Sequence, residues 1–150
     1  MKLAEALILR GDLQKRLEQL RQRLSDNALT QEGEKPAEDP RDLLKELSEG
    51  TAQLETLIAR INLTNAGTRK DGKTLTELLA RREALSLKIS ILRSFLDAGS
   101  RRVNRSTRTE VRILSTVDVA EMRKEVDSMS QELRILDTAI QSSNWLTELM

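Results

Sequence analysis

Apolar residues recur at alternating spacings of three and four along most of the chain. This spacing places them on one face of an α-helix, and when it is sustained over several turns it is typical of coiled-coil packing. The pattern predicts four long amphipathic helices, at about residues 3–29, 40–62, 74–98 and 118–142. We therefore predict an all-α fold, in which residues 1–150 form a single domain built as a coiled-coil-like bundle.

The third predicted helix is apolar over an unusually wide arc. Its main stripe consists of Leu75, Leu78, Leu85, Ile89, Leu92 and Leu96. A second stripe beside it consists of Leu79, Ala84, Leu87, Ile91 and Phe95. A helix with so much apolar surface needs partners on more than one side, so we expect it to be the central helix of the bundle.

Two arginines interrupt the otherwise apolar stripes. Arg10 occupies a seam position of the first helix, and Arg82 occupies one of the third helix. A guanidinium at such a position needs a carboxylate partner, and polar seam residues usually fix the register of packing. We expect a structural role for both.

The segment between the third and fourth helices, about residues 100–117, lacks helical periodicity. Val111, Ile113 and Val117 would share one face of a strand, which predicts an extended arm or a short β-ribbon. The arm carries five arginines, which are Arg101, Arg102, Arg105, Arg108 and Arg112. They are interpreted either as a surface that binds a polyanion such as nucleic acid, or as an assembly arm that pairs with acidic helix faces.

The loop before the third helix contains the letters of a nucleotide-binding P-loop. Residues 67–74 read GTRKDGKT, which places Lys73 and Thr74 at the phosphate-binding and magnesium-binding positions. A true P-loop follows a buried β-strand, whereas this one follows a helical segment and the polar residues 62–66. Asp71-Gly72 is also a strong signal for a tight hairpin turn. We interpret the match as coincidental, which leaves a phosphate-handling enzyme as a weak alternative.

A simpler anion-binding hypothesis applies to the same loop. Arg69, Lys70 and Lys73 lie next to Thr74, where the third helix is predicted to begin. Backbone N–H groups at a helix N-terminus attract anions. These four residues are therefore a candidate anion-binding site.

The composition limits the chemistry that is available. The chain has 25 basic and 24 acidic residues, no His and no Cys. Without them it lacks the commonest general base and the commonest ligands for transition metals. Since no carboxylate pair has a distinctive spacing either, we predict no catalytic residues, no metal site and no cofactor. The formal net charge of +1 means that nucleic-acid binding would need a local basic patch.

The sequence has no segment that is typical of export or membrane insertion. The apolar stretch in residues 1–10 is short and contains Glu5, and no run approaches the roughly 18 apolar residues of a membrane span. We expect a cytoplasmic protein. Because coiled-coil seams are often completed between subunits, we also expect a homo-oligomer.

Several stretches of the chain resemble a family of short bacterial proteins that is often called septicolysin. These stretches are MKLAEALILRGDLQKRLEQL, EGEKPAEDP, INLTN, DGKTLTELLARREAL, STVDVAEM and NWLTEL. The resemblance implies a helical bacterial protein and brings no established activity, substrate or cofactor with it. The family's label suggests a membrane-active role, for which the helices would have to separate. The residues favour instead a structural or interaction protein that assembles through its helical seams.

Overall fold

The computed structural model describes residues 1–100 and 112–150 of the chain. In that part the helices are α1 (Leu3–Asp26), α2 (Pro40–Gly67), α3 (Leu75–Ser100) and α4 (Val119–Leu146). Two short strands, β1 (Arg69–Lys70) and β2 (Lys73–Thr74), pair as an antiparallel ribbon between α2 and α3. The predicted all-α fold with four long helices is confirmed.

The described residues divide into two compact units. The first contains Met1–Thr76 together with Gln141–Met150, and the second contains Glu77–Ile140. The first unit therefore holds α1, α2, the ribbon and the C-terminal residues. The second unit holds most of α3 and α4.

In the first unit α1 packs against α2. The buried apolar side chains of the two helices are Leu3, Ala4, Ala6, Leu20, Leu43, Leu57 and Ile61. The start of α2 is capped, because the Asp39 carboxylate accepts a hydrogen bond from the Arg41 backbone N–H and Pro40 occupies the first turn. Gly50 allows a close approach, since the side chain of Leu17 lies 2.9 Å from the place that a Cβ there would occupy.

Residues 147–150 lie along the start of α1 and the end of α2. The Leu3 N–H donates to the Thr147 carbonyl and the Leu149 N–H donates to the Met1 carbonyl, each at 2.9 Å. The Met150 N–H donates to the hydroxyl of Thr64, which is completely buried. The C-terminal segment Gln141–Met150 therefore completes the first unit.

In the second unit α3 packs against α4 through the main apolar stripe predicted for the third helix. Ile89, Leu96 and Val126 form its buried centre. The partly buried residues packed against them are Leu85, Leu92, Val119, Met122, Met129 and Leu133. The two helices run antiparallel, because Arg82 of α3 pairs with Asp137 near one end and Gly99 lies beside Val119 near the other.

Candidate interaction surfaces

Residues 67–74 form a hairpin and lack the architecture of a P-loop. Arg69 lies opposite Thr74 and Lys70 lies opposite Lys73. At the tip Asp71 and Gly72 both have left-handed backbones, with φ values of 51° and 82°. Two successive left-handed residues are the geometry that an Asp-Gly hairpin turn requires. Because α2 continues to Gly67, a helix and not a buried strand precedes the glycine-containing loop.

The hairpin brings the predicted anion-site residues together on a small ribbon. Arg69, Lys70 and Lys73 are exposed, and Thr74 directly precedes α3. The Arg69 guanidinium donates to the Gly72 carbonyl at 3.0 Å, which turns it back onto the loop. The Leu75 N–H, at the start of α3, donates to the Thr68 carbonyl at 2.9 Å. One backbone donor of the helix N-terminus is therefore already occupied.

The predicted arginine arm falls mostly outside the described residues. Arg101, Arg102, Arg105 and Arg108 are in the segment that the structure does not describe, and Arg112 is exposed at the start of the next one. Residues 112–118 contain no strand. Polyanion binding by this arm therefore stays a prediction.

A mostly apolar stripe lies on the face of α3 opposite the buried Ile89. We call it the outer seam, and it consists of Ala80, Ala84, Leu87, Ile91, Ser94 and Ala98. Its spacings of four, three, four, three and four residues are those of a coiled-coil heptad. With 3.6 residues per turn, Leu87 and Ile91 lie about 160° around the helix from the buried Ile89. They are 62% and 59% exposed, and Phe95 beside them is 43% exposed.

Glu83 and Lys88 are two of the charged side chains that border the outer seam, and they lie on opposite sides of it. Glu83 precedes Ala84 and Lys88 follows Leu87, and both are exposed. Among the described residues neither side chain takes part in an ion pair. In contrast, Arg81 and Arg82 pair with Glu132 and Asp137 of α4. Arg81, which follows Ala80 of the outer seam, is thus paired within the chain, whereas Glu83 and Lys88 have no ion-pair partner among the described residues.

Two carboxylates of the first unit, Glu38 and Glu46, form ion pairs with arginines of α1. Arg23 contacts Glu38 and also Glu46, and Arg16 contacts Glu46 at 2.8 Å. The hydrogen bond from Arg23 holds the pKa of Glu38 below its ordinary value, and the one from Arg16 does the same for the pKa of Glu46. These carboxylates are therefore kept ionised, and the network ties the loop before α2 to α1.

Two grooves of the described part are lined by side chains that form ion pairs, Arg16 with Glu46 in one and Arg82 with Asp137 in the other. A further groove between α1 and α2 is lined mainly by Leu9, Leu13, Thr56 and Leu57, and its charged side chain is Arg60. The Arg60 Nε donates to the main-chain oxygen of Met150 at 2.7 Å. Within the described residues, no three carboxylates lie close enough together to hold a metal ion. None of the helices there has the length and apolar content that crossing a membrane would require.

Comparison with known proteins points to a family without an assigned role. Residues 10–149 match the model of a family described as a family of unknown function, DUF6847. The crystal structure of a functionally unknown conserved protein from Corynebacterium diphtheriae is similar to this chain, with 42% sequence identity and a TM-score of 0.92. That similarity covers 100% of this chain and 99% of the other. No curated protein matches the chain. Neither finding concerns the septicolysin resemblance, which stays a prediction.

Proposed function

The chain belongs to DUF6847, a family of unknown function, and we propose that it is a non-catalytic interaction protein that self-associates through the outer seam of α3. The proposal rests on one observation, which is that side chains with heptad spacing along α3 are exposed. The outer seam has the spacing by which helices pair, yet Leu87 and Ile91 are mostly exposed in the single chain.

Burial of apolar surface supplies the driving force for this association. Removing apolar area from water contributes roughly 25 cal/mol per Å². Leu87, Ile91 and Phe95 lie within about two and a half turns of one another, so one partner helix can cover all three. Because α4 packs against the stripe of α3 that contains Ile89, Leu87 and Ile91 stay exposed and can contact a second copy of the chain.

The available side chains support a role without catalysis. The sequence has no His or Cys, and the carboxylates that pair with Arg23 and Arg16 are held ionised. A general acid or base at neutral pH needs a pKa near the working pH, and these shifts go the other way. Assembly is therefore a better use of the described surface than chemistry.

Two matched substitutions test the proposal. Leu87 on the outer seam and Leu63 on α2 are each 62% exposed, so Leu87→Glu and Leu63→Glu add the same charge at the same degree of exposure. We expect light scattering to give an oligomer for the unmodified chain and for Leu63→Glu, and a monomer for Leu87→Glu. Circular dichroism would verify that both variants stay helical. Oligomers of equal mass for both variants would contradict the proposal.

Polyanion binding is the second candidate function, favoured by the exposed cations of the ribbon. Arg69, Lys70 and Lys73 form no ion pair among the described residues. Replacing all three by Ala should weaken the binding of a fluorescent RNA or DNA and reduce its dependence on salt, because phosphate contacts release counterions. A second variant with Ala at the five arginines of the predicted arm would measure the contribution of that segment. Fluorescence anisotropy that shows no binding by the unmodified chain would exclude this function.

A further inference from the structure

We infer that two copies of α3 pair in parallel and in register along the outer seam, and that Glu83 and Lys88 select this arrangement through ion pairs between the copies. The inference rests on the proposed self-association and adds the orientation and register of the partner. It follows from the order of residues around the outer seam.

The heptad positions of the large side chains favour a parallel pair of two helices. In the outer seam Leu87 occupies position d and Ile91 occupies position a. In parallel coiled coils a β-branched residue at a with Leu at d favours two strands. In register, Leu87 packs against the partner's Leu87 and Ile91 packs against the partner's Ile91. The small residues at both ends, among them Ala84 and Ser94, allow the helices to approach closely there.

The charged side chains beside the outer seam complement each other in this arrangement. Glu83 occupies position g and Lys88 occupies position e of the next heptad. In a parallel pair a g residue of one helix faces the e residue five positions further along the other helix. Glu83 therefore faces the partner's Lys88, and two-fold symmetry repeats this ion pair. Both side chains are exposed and have no ion-pair partner within the described part of their own chain.

Antiparallel pairing lacks this complementarity. In an antiparallel pair, e positions face e positions and g positions face g positions. The register that packs Leu87 against the partner's Ile91 brings Lys88 close to the partner's Lys88, and it brings Glu83 close to the partner's Asp97. Juxtaposed like charges oppose association. The neighbouring registers, which place Leu87 opposite Ala84 or Ala98, form no ion pair.

Phe95 gives the parallel pair an additional apolar contact. It occupies position e, and in a parallel pair it faces the partner's Ser90 at position g. A small residue there leaves space for the ring to lie over Ile91 and Ser94. The pairing would thus cover Phe95, which is exposed and lies beside the outer seam.

Charge reversal tests the ion pairs directly. Glu83→Lys and Lys88→Glu should each weaken self-association about tenfold, because two attractive pairs become two repulsive ones. An equimolar mixture of the two variants should restore association at the unmodified affinity. In the mixed pair the introduced lysine of one chain faces the introduced glutamate of the other, and the second ion pair keeps its natural residues with their signs opposed.

The matched control for charge reversal is Lys124→Glu, an exposed position on α4 with the same change in charge as Lys88→Glu. Sedimentation velocity would measure the two separate variants, their mixture and this control. The control should associate as the unmodified chain does. A mixture that associates no better than the separate variants would overturn the ion-pair assignment.

A single introduced cysteine tests orientation, because the natural sequence contains none. In the parallel pair Ala80→Cys lies opposite its own copy, within the roughly 7 Å between Cα atoms that a disulfide tolerates. In the antiparallel registers described above, the two introduced cysteines are separated by at least about eleven residues, or about 16 Å along the helix. Mild oxidation should therefore yield a disulfide-linked dimer of Ala80→Cys and none of a Lys124→Cys control.

The outcomes separate this inference from the proposed function. A linked Ala80→Cys dimer supports the parallel pair. An unlinked chain that still sediments as a dimer overturns the parallel arrangement and leaves self-association standing. An unmodified chain that sediments as a monomer overturns both.

Discussion

The Arg82 Nη1 atom lies 3.0 Å from the Asp137 Oδ1 atom, and this ion pair joins α3 to α4 within the second unit. The sequence predicted a carboxylate partner for Arg82 because this residue interrupts an apolar seam. The two side chains are 37% and 49% exposed, so the pair lies at the edge of the seam where water screens it. It therefore orients the two helices more than it stabilises them.

Substitution of the ion pair should cost little compared with substitution of the buried seam. Asp137→Ala should lower the free energy of unfolding by less than about 1 kcal/mol, as is usual for exposed pairs. Ile89→Ala removes a side chain that is only 3% exposed and should cost about 2–5 kcal/mol through lost burial and an unfilled cavity. Urea titrations followed by circular dichroism would compare the two. A loss for Asp137→Ala as large as that for Ile89→Ala would contradict this account.

Stability should fall on the acid side of pH 4.5, in part through Glu148. Its carboxylate lies 2.6 Å from the Lys2 Nζ and 3.2 Å from the N-terminal nitrogen. The hydrogen bonds from Lys2 and the N-terminal ammonium hold the pKa of Glu148 below its ordinary value of 4.5. A carboxylate whose pKa is lower in the folded state stabilises the fold above the unfolded pKa, and this contribution is lost as the pH falls through the folded pKa.

The corresponding variant is Glu148→Gln, which should make the melting temperature depend less steeply on pH below 4.5. Glu38, Glu46 and Asp39 also have lowered pKa values, so a residual dependence should remain. Glu55→Gln is a suitable control, because Glu55 forms no ion pair among the described residues. Identical pH profiles for Glu148→Gln and the unmodified chain would mean that the contact is not formed in solution.

Two glycines in the first unit should respond in opposite directions to the same substitution. Gly11 is in the interior of α1, and an added Cβ there meets nothing within 4 Å. Gly11→Ala should therefore raise the free energy of unfolding by about 0.5–1 kcal/mol, because Ala loses less conformational freedom in a helix. Gly72 has a φ of 82°, so Gly72→Ala should lower that free energy by about 1–2 kcal/mol. Chemical denaturation would measure both, and a destabilised Gly11→Ala variant would indicate that α1 is not continuous at that position.

The buried hydroxyl of Thr64 should hold the C-terminal residues in place. It donates to the Arg60 carbonyl at 2.8 Å and accepts from the Met150 N–H at 3.0 Å. Thr64→Val keeps the shape but leaves that N–H without its acceptor, and should cost about 1–3 kcal/mol. Thr64→Ser keeps the hydroxyl and is the control. Hydrogen exchange should show faster exchange at residues 147–150 in Thr64→Val, and equal rates in the two variants would refute this role.

The helices could be predicted because their seams are local patterns of apolar residues. The hairpin could also be predicted, since Asp71-Gly72 is a local signal for a tight turn. The extension of α2 beyond residue 62 could not be predicted, because the polar Thr64 is buried through a contact with Met150, 86 residues away. Arg82 has the partner that was expected, whereas the buried Arg10 Nε has no hydrogen-bond partner among the described residues. Seam position alone thus does not tell whether a carboxylate is within reach.

The candidate surface could be predicted only in part. The sequence reveals a second apolar stripe on the third helix, which predicted a helix covered on two sides. Spacing cannot tell whether the second cover comes from the same chain or from another copy. The 62% exposure of Leu87 and the 59% exposure of Ile91 make the second copy the basis of our proposal.

The most direct test of self-association is the mass of the unmodified chain by sedimentation equilibrium, measured over a range of micromolar concentrations. The chain has a mass of 17.0 kDa, and we expect the measured mass to rise with concentration toward twice that value. A mass of 17.0 kDa at every concentration would contradict the proposal that the outer seam of α3 binds a second copy.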